Sequence, residues 1–284
     1  MKVFVIGLDC LEYKDVLSWK LSGLMQRYYG KYDVKPAVRE GDPLYTPLIW
    51  ASFLTGTPSY KYGFSSETLE RKTWRGFYLL YKIRKLIPIK NLHLRRAAIK
   101  LGIKNLDCGV ERMPEEARKD TFLEVAERKG YRVWAKEIPS YNDDLIAKYR
   151  MRIGLVYNRS LEEKLEALKK VFSDVERLWR EALSALPDHD LVMFYSPLPD
   201  FAHHMFPTKK IKHRLRMHQV YKRLNEMVSS APDDVVKLIV SDHGFDNEKF
   251  THSDYGFWSS NFPLPRKPET VLDFKEIILN LLEM

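Results

Sequence analysis

Two short stretches of this sequence carry acidic and histidine side chains at spacings suited to metal binding. Ser241-Asp242-His243-Gly244 places a carboxylate and an imidazole directly after the apolar run 235–240. Asp200 and His204 are four residues apart, so on a helical turn both point to one side and could hold one cation. His203 should point elsewhere, because adjacent residues diverge. Each pattern alone also fits a capping aspartate beside an ordinary surface histidine.

Three further residues could complete a reactive site. Asp9 directly follows the apolar run 1–8, and His252 lies nine residues beyond His243. Thr46 begins a predicted helix, where unpaired backbone N–H groups and the helix dipole favour a phosphate. A metal ion nearby would lower the pKa of the Thr46 hydroxyl and make it a nucleophile. The alternative is that Thr46 is an ordinary helix cap.

Alternating strand and helix patterns predict the scaffold that positions these residues. Apolar runs predict strands at 1–8, 34–38, 131–136, 191–195 and 235–240. Helical spacing and capping residues predict helices at 15–28 (capped by Asp15), 46–56, 120–129, 161–186, 214–230 and 273–282.

This alternation predicts a single α/β domain, a three-layer α/β/α fold with a mainly parallel central sheet. Functional groups in such sheets gather where strands end at their carboxyl edge. Asp9, the stretch 196–204 and the tetrapeptide at 241–244 all follow predicted strands. We therefore expect these three stretches to meet.

Composition narrows the class of protein. The chain has 284 residues, two cysteines and a formal net charge of +9. Too few cysteines are present for a disulfide framework, and no apolar run reaches the ~20 residues of a membrane span. A soluble, cytoplasmic protein is the expectation. Eleven Lys and Arg and no acidic residue lie within 71–106, so the basicity is local and does not indicate sequence-specific nucleic-acid binding.

In their order along the chain, these motifs resemble the alkaline phosphatase superfamily, and within it the type I phosphodiesterase/nucleotide pyrophosphatase branch. The segments that carry the resemblance are 5–9 (VIGLD), 45–56 (YTPLIWASFLTG), 199–204 (PDFAHH), 241–245 (SDHGF) and 251–252 (TH).

The resemblance implies a two-metal hydrolase that cleaves a phosphodiester or pyrophosphate bond. One ion, Zn²⁺ or Mn²⁺, would be held by Asp200, His204 and His252. The second would be held by Asp9, Asp242, His243 and the Thr46 hydroxyl oxygen. Thr46 would attack phosphorus and form a phosphothreonine, which water would then hydrolyse.

Two departures from the family pattern leave the substrate open. Tyr62 stands before Gly63 where related phosphodiesterases have a histidine, and Glu67 falls where the branch places a phosphate-contacting asparagine. A sulfatase signature centred on cysteine or serine is missing. Alternatives are a phosphomonoesterase or phosphotransferase on the same scaffold, or a non-catalytic metal-containing module that docks to anionic membranes.

The basic segment 71–106 lies within a predicted small helical cap inserted at about 65–119. Aromatic and aliphatic residues alternate there with Lys and Arg. Three interpretations remain open: a lid with solvated basic tips, a cap that attracts an anionic phosphate-ester substrate, or a surface that contacts anionic lipid headgroups. The oligomeric state is not predicted.

Overall fold

The computed structural model describes residues 1–73, 112–149, 159–206, 210–246, 248–249 and 251–284. The strands are β1 Val3–Leu8, β2 Tyr28–Asp33, β3 Val133–Lys136, β4 Leu191–Ser196, β5 Val236–Ser241, β6 Phe245–Asp246, β7 Thr251–His252 and β8 Tyr255–Ser260. The helices are α1 Tyr13–Ser18, α2 Ser22–Met25, α3 Thr46–Thr55, α4 Ser66–Thr73, α5 Glu115–Lys119, α6 Phe122–Arg128, α7 Leu161–Ala185, α8 Asp200–Met205, α9 Ile211–Ser229 and α10 Phe274–Glu283.

Six strands form the main sheet in the order β2-β8-β5-β1-β4-β3. β5, β1, β4 and β3 pair in parallel, whereas β8 runs antiparallel to both β5 and β2. Every residue of β1, β4 and β5 is buried, as is typical of parallel strands covered by helices on both faces. The predicted α/β architecture with a mainly parallel sheet is confirmed.

The register of the three central strands brings their carboxyl ends together. Leu8 of β1 lies beside Ser196 of β4, and Gly7 lies beside Val240 of β5. β1 is the middle strand, so the residue that follows it is flanked by the residues that follow β4 and β5. This edge of the sheet therefore collects the three stretches that the sequence had marked.

The region 12–38 differs from the prediction. Two short helices replace the predicted helix 15–28, because Lys20 adopts a φ of +52°, which a continuing right-handed helix does not allow. The strand β2 precedes the predicted strand 34–38, which instead contains a 3₁₀ turn at Lys35–Ala37 with Pro36 in it. Proline has no N–H for a sheet ladder, which explains the shift.

Asp15 is not the cap of α1. Glu12 is the N-cap, and its side chain accepts a hydrogen bond from the Lys14 N–H at 3.1 Å. Asp15 lies inside the first turn, buried, with its Oδ1 3.8 Å from the Arg214 guanidinium. Burial raises the pKa of Asp15 from 3.8 to about 6, and the Arg214 charge only partly opposes this. The ionised carboxylate is thus costly to keep in the fold.

Asp15→Asn is expected to stabilise the protein at neutral pH. Because the folded state binds the Asp15 proton more tightly than the unfolded chain, this group makes the stability fall as pH rises from about 4 to 6. The variant should exceed the wild type by up to about 3 kcal/mol above pH 6, with the difference vanishing towards pH 4. Urea unfolding in EDTA at pH 4.5 and 7.5 measures this, and an equal difference at both pH values would contradict it.

The other predicted elements lie close to their expected positions. A capping box between Ser160 and Glu163 starts α7, and Gly56, with a φ of +64°, ends α3. β8 was not predicted at all. The predicted cap at about 65–119 is described only at its ends, and most of the basic segment 71–106 falls outside the described residues. Among the described helices, none has the length and apolar character of a membrane span.

Candidate metal centre

Asp9, Asp242 and His243 form a buried group beyond the carboxyl ends of β1 and β5. Their ligand atoms lie within 4.8 Å of one another. The Nε2 atom of His243 is 3.3 Å from Asp242 Oδ2 and 3.6 Å from Asp9 Oδ1. The two carboxylates therefore converge on one imidazole nitrogen, although the residues are more than 200 positions apart in sequence.

Asp200, His204 and His252 form an adjoining group. Asp200 opens α8, and the helical turn brings His204 Nε2 to 3.3 Å from its Oδ1. The β6–β7 hairpin folds His252 back, so that its Nε2 lies 3.3 Å from the same oxygen and 3.4 Å from His204 Nε2. The rings of His252 and His243 stack with centroids 3.8 Å apart, which joins the two groups.

His243 belongs to both geometric clusters. Asp200, His243 and His252 have ligand atoms within 4.8 Å of one another, as do Asp9, Asp242 and His243. The side chains of His204 and His252 are 35% and 25% exposed, whereas that of His243 is fully buried. The combined cluster is thus exposed to solvent on the side of His204 and His252.

The donor chemistry of this cluster suits a bound cation. Asp200 Oδ1, Asp242 Oδ2 and His243 Nε2 are buried and make no well-formed hydrogen bond within the described residues, although imidazole nitrogens lie 3.3 Å from both carboxylate oxygens. Buried polar atoms without well-formed hydrogen bonds are costly, and a bound cation would satisfy them. Three carboxylates and three imidazoles are the oxygen and nitrogen ligands that Zn²⁺ and Mn²⁺ accept.

The protonation of the cluster reflects the crowding of its charges. Burial and the charge of Asp200 raise the pKa of Asp242 to about 7. Although burial acts to raise it, the His204 and His252 rings hold the pKa of Asp200 well below its usual range. Burial and the nearby His252 charge lower the pKa of His243, which favours the neutral imidazole that binds metals.

Thr46 is buried and is the first residue of α3, as predicted, but the N-cap is Tyr45 and not Thr46. Two sets of contacts connect the segment around Thr46 to the cluster. The backbone of Leu44 hydrogen-bonds the His252 ring. One turn beyond Thr46, the ring of Trp50 packs against Tyr195 at 5.3 Å, and the Tyr195 hydroxyl donates to Asp9 Oδ2.

Gly7 of β1 allows this close approach of α3. A Cβ at position 7 would lie 2.7 Å from the Trp50 ring, so a larger residue would push the helix away from the strand that carries Asp9. The glycine at this position is therefore part of how the structure positions the first turn of α3.

Other residues considered from the sequence have different surroundings. The ring of His203 stacks on Phe245 at 4.6 Å, and its Nε2 lies 3.0 Å from the Tyr221 hydroxyl; burial lowers its pKa to about 3. Glu67 is exposed in the first turn of α4, and the Tyr62 hydroxyl donates to Asp120.

Sequence reasoning missed the residues that support the cluster. Ser241 Oγ accepts from the Leu11 N–H at 2.7 Å and donates to the His243 carbonyl at 2.8 Å. Tyr195 contacts Asp9 across the sheet. Ser241 belongs to the motif 241–244, so its position was a signal of a role at the site. Tyr195 ends a predicted apolar strand, and nothing in that run distinguishes it from a core residue.

The chain matches a known protein family. A sequence model of the family described as type I phosphodiesterase/nucleotide pyrophosphatase matches residues 3–267. No curated protein sequence matches the chain significantly.

Several solved structures share the fold at low sequence identity. Human ectonucleotide pyrophosphatase/phosphodiesterase 5 has a TM-score of 0.53 at 10% identity, covering 100% of this chain and 95% of its own. The murine protein has a TM-score of 0.50 at 11% identity, with the same coverage. A 2-O GAG sulfatase has a TM-score of 0.52 at 9% identity, covering 100% of this chain and 70% of its own. With the match over residues 3–267, this chain belongs to the type I phosphodiesterase/nucleotide pyrophosphatase family and is a hydrolase of that kind.

Proposed function

We propose that this enzyme cleaves a phosphodiester or pyrophosphate bond with two divalent metal ions and Thr46 as the nucleophile. Asp200, His204 and His252 would hold one ion. Asp9, Asp242, His243 and the Thr46 hydroxyl would hold the other. Zn²⁺ and Mn²⁺ both suit this mixture of carboxylate and imidazole ligands.

One observation carries the proposal. Residues from four separate stretches of the chain converge, so that each ligand atom lies 3.3 to 3.6 Å from its nearest neighbour in the cluster. Three of those atoms are buried and make no well-formed hydrogen bond within the described residues. Ligand oxygens of Asp9 and Asp242 lie within 4.8 Å of each other, and burying two like-charged carboxylates at such a distance is unfavourable unless a cation compensates them. Bound ions would supply positive charge to the phosphate oxygens and would lower the pKa of the Thr46 hydroxyl.

In the proposed reaction the residues of the site would have the following roles. Thr46 Oγ1 forms a bond to phosphorus as the bond to the leaving oxygen breaks, and the hydroxyl proton passes to solvent. The positive end of the α3 dipole would stabilise the charge of the phosphate oxygens. Pro47 has no N–H, and the N–H groups of Leu48 and Ile49 donate to the Tyr45 carbonyl. Water then attacks the phosphothreonine, which releases the phosphorylated product and restores the Thr46 hydroxyl. His204 and His252 border the open side through which substrate and water enter.

A comparison of three chromogenic substrates tests the proposal. We expect purified protein with Mn²⁺ or Zn²⁺ to turn over bis-p-nitrophenyl phosphate and a p-nitrophenyl nucleotide faster than p-nitrophenyl phosphate. A preference for the monoester would favour a phosphomonoesterase, and transfer of the phosphoryl group to an added alcohol would favour a phosphotransferase. Absence of turnover with every metal would favour a non-catalytic metal-containing module.

Three sequence-based expectations accompany the proposal. An anionic phosphate ester is the expected substrate class, in keeping with the family. Contact of the segment 71–106 with an anionic membrane and a cytoplasmic location both stay predictions. Co-sedimentation with liposomes that does not depend on anionic lipid content would argue against the membrane contact.

A further inference from the structure

Glu12 is a buried carboxylate that neither the metal cluster nor the proposed chemistry uses. It lies three residues after Asp9, and only 2% of its surface is exposed. All its hydrogen bonds come from neutral donors: Oε1 accepts from the Tyr255 hydroxyl at 2.7 Å and from the Lys14 N–H at 3.1 Å, and Oε2 accepts from the Phe245 N–H at 2.9 Å. A buried charge of this kind is costly to retain.

The contacts of Glu12 reach the loop that carries Asp242 and His243. Phe245 comes two residues after His243, so the Glu12 carboxylate holds the backbone immediately beyond that ligand. The intervening Gly244 leaves room for the carboxylate, because a Cβ at position 244 would lie 2.3 Å from Oε2. The glycine of this motif is therefore explained by close approach of a side chain.

Glu12 is also connected to the helix that carries Asp200 and His204. Its backbone N–H donates to the Tyr221 hydroxyl at 2.9 Å, and that hydroxyl lies 3.0 Å from His203 Nε2 in α8. The turn 9–12 thus contacts the segment 242–245 through the Glu12 carboxylate, and it contacts α8 through Tyr221 and through the Asp200 N–H, which donates to the Asp9 carbonyl at 3.0 Å. The hairpin of His252 is reached as well, since Phe245 pairs with His252 across β6 and β7.

We propose that Glu12 is a positioning residue that sets the spacing between the two groups of metal ligands. It would act through the Phe245 N–H and the Tyr255 hydroxyl, and it would not touch metal or substrate. The inference rests on the proposed two-metal function. Residues that orient metal ligands in this way typically change metal affinity by roughly 10- to 100-fold when they are replaced.

Glu12→Gln is the first test, because it keeps the size of the side chain but leaves one of the two hydrogen-bonding oxygens as an NH₂ group. Binding of Zn²⁺ and of Mn²⁺ to EDTA-treated protein would be measured by titration calorimetry, with circular dichroism to establish folding. We expect a folded variant whose metal affinity is lower by roughly 10- to 100-fold. Tyr255→Phe, which keeps the Phe245 contact, should lose less, and the exposed Glu116→Gln should match the wild type.

The outcomes separate this inference from the function on which it rests. A wild type that binds neither ion would overturn the proposed function. A wild type that binds two ions, with a folded Glu12→Gln that binds them equally tightly, would overturn the positioning role alone. If Glu12→Gln does not fold, Tyr255→Phe decides: weaker metal binding in the folded variant supports the role, and unchanged binding overturns it.

Discussion

Thr46→Ala is expected to lower turnover of a phosphodiester by roughly 10³-fold or more, because no other group would replace the attacking oxygen. The site should otherwise persist, since the carboxylates and imidazoles of the cluster belong to other segments. Steady-state kinetics on bis-p-nitrophenyl phosphate, together with metal content by mass spectrometry, measures both parts of this expectation.

Thr46→Ser is the matched control. It keeps a hydroxyl at the first position of α3, so it should retain far more activity than Thr46→Ala. A rapid quench with labelled substrate should trap phosphate on the wild-type protein and on the serine variant, but not on the alanine variant. Equal rates for wild type and Thr46→Ala would show that the phosphothreonine mechanism is wrong.

His243→Ala is expected to reduce metal binding at both ion positions and to abolish turnover. His243 is the residue that the two geometric clusters share, and its ring stacks on that of His252. Its loss would remove a ligand from one group and the packing partner of a ligand in the other. We expect fewer than one bound ion per chain under conditions in which the wild type binds two.

Two other histidines are informative controls. His204→Ala removes a ligand from one group only and should leave the second ion bound. His189 precedes β4 at the opposite edge of the sheet, where its ring contacts the Ala185 carbonyl at 2.8 Å. His189→Ala should therefore bind metal normally. Retention of both ions by His243→Ala would contradict the assignment of that residue as a ligand.

Because of the charges in the cluster, we expect metal binding and the stability of the fold to depend on each other. Without cations, burial and Asp200 raise the pKa of Asp242 to about 7, so one buried carboxylate binds a proton near neutrality. Metal ions and protons compete for such ligands, which makes metal affinity depend on pH. The same cations would relieve the repulsion among Asp9, Asp200 and Asp242 that the folded chain otherwise has to tolerate.

Several features of the fold were predictable from local patterns. β1, β4 and β5 are continuous apolar runs, and α7 has a strong helical period and a capping box, so their burial dictates their structure. Between residues 12 and 38 the prediction failed. There Lys20 has a positive φ, Pro36 interrupts an apolar run, and Asp15 is a buried residue rather than a cap.

The antiparallel strands illustrate the limit of local patterns. β2 (YYGKYD) contains a glycine and two charged residues, and β8 (YGFWSS) contains a glycine among its aromatic residues, so neither segment is an apolar run like those that predicted the other strands. Each is stabilised by pairing with the other over 28–33 and 255–260. The paired residues are more than 220 positions apart in sequence. A pattern within a short stretch therefore cannot predict that the two strands pair.

The sequence by itself determined which residue types are available for catalysis and that Asp9, Asp200 and Asp242 follow or lie close to the ends of strands. Those features depend on the order of residues along one segment, and the periodicity of apolar residues within that segment is enough to predict them. Only the tertiary structure decided that β1 lies between β4 and β5, that the hairpin returns His252 to His243, and that Glu12 supports Gly244 and Phe245. Those contacts arise when segments that are distant in sequence pack together. The stabilising free energy of that packing is distributed over the whole core, so no single stretch of sequence has a pattern that predicts it.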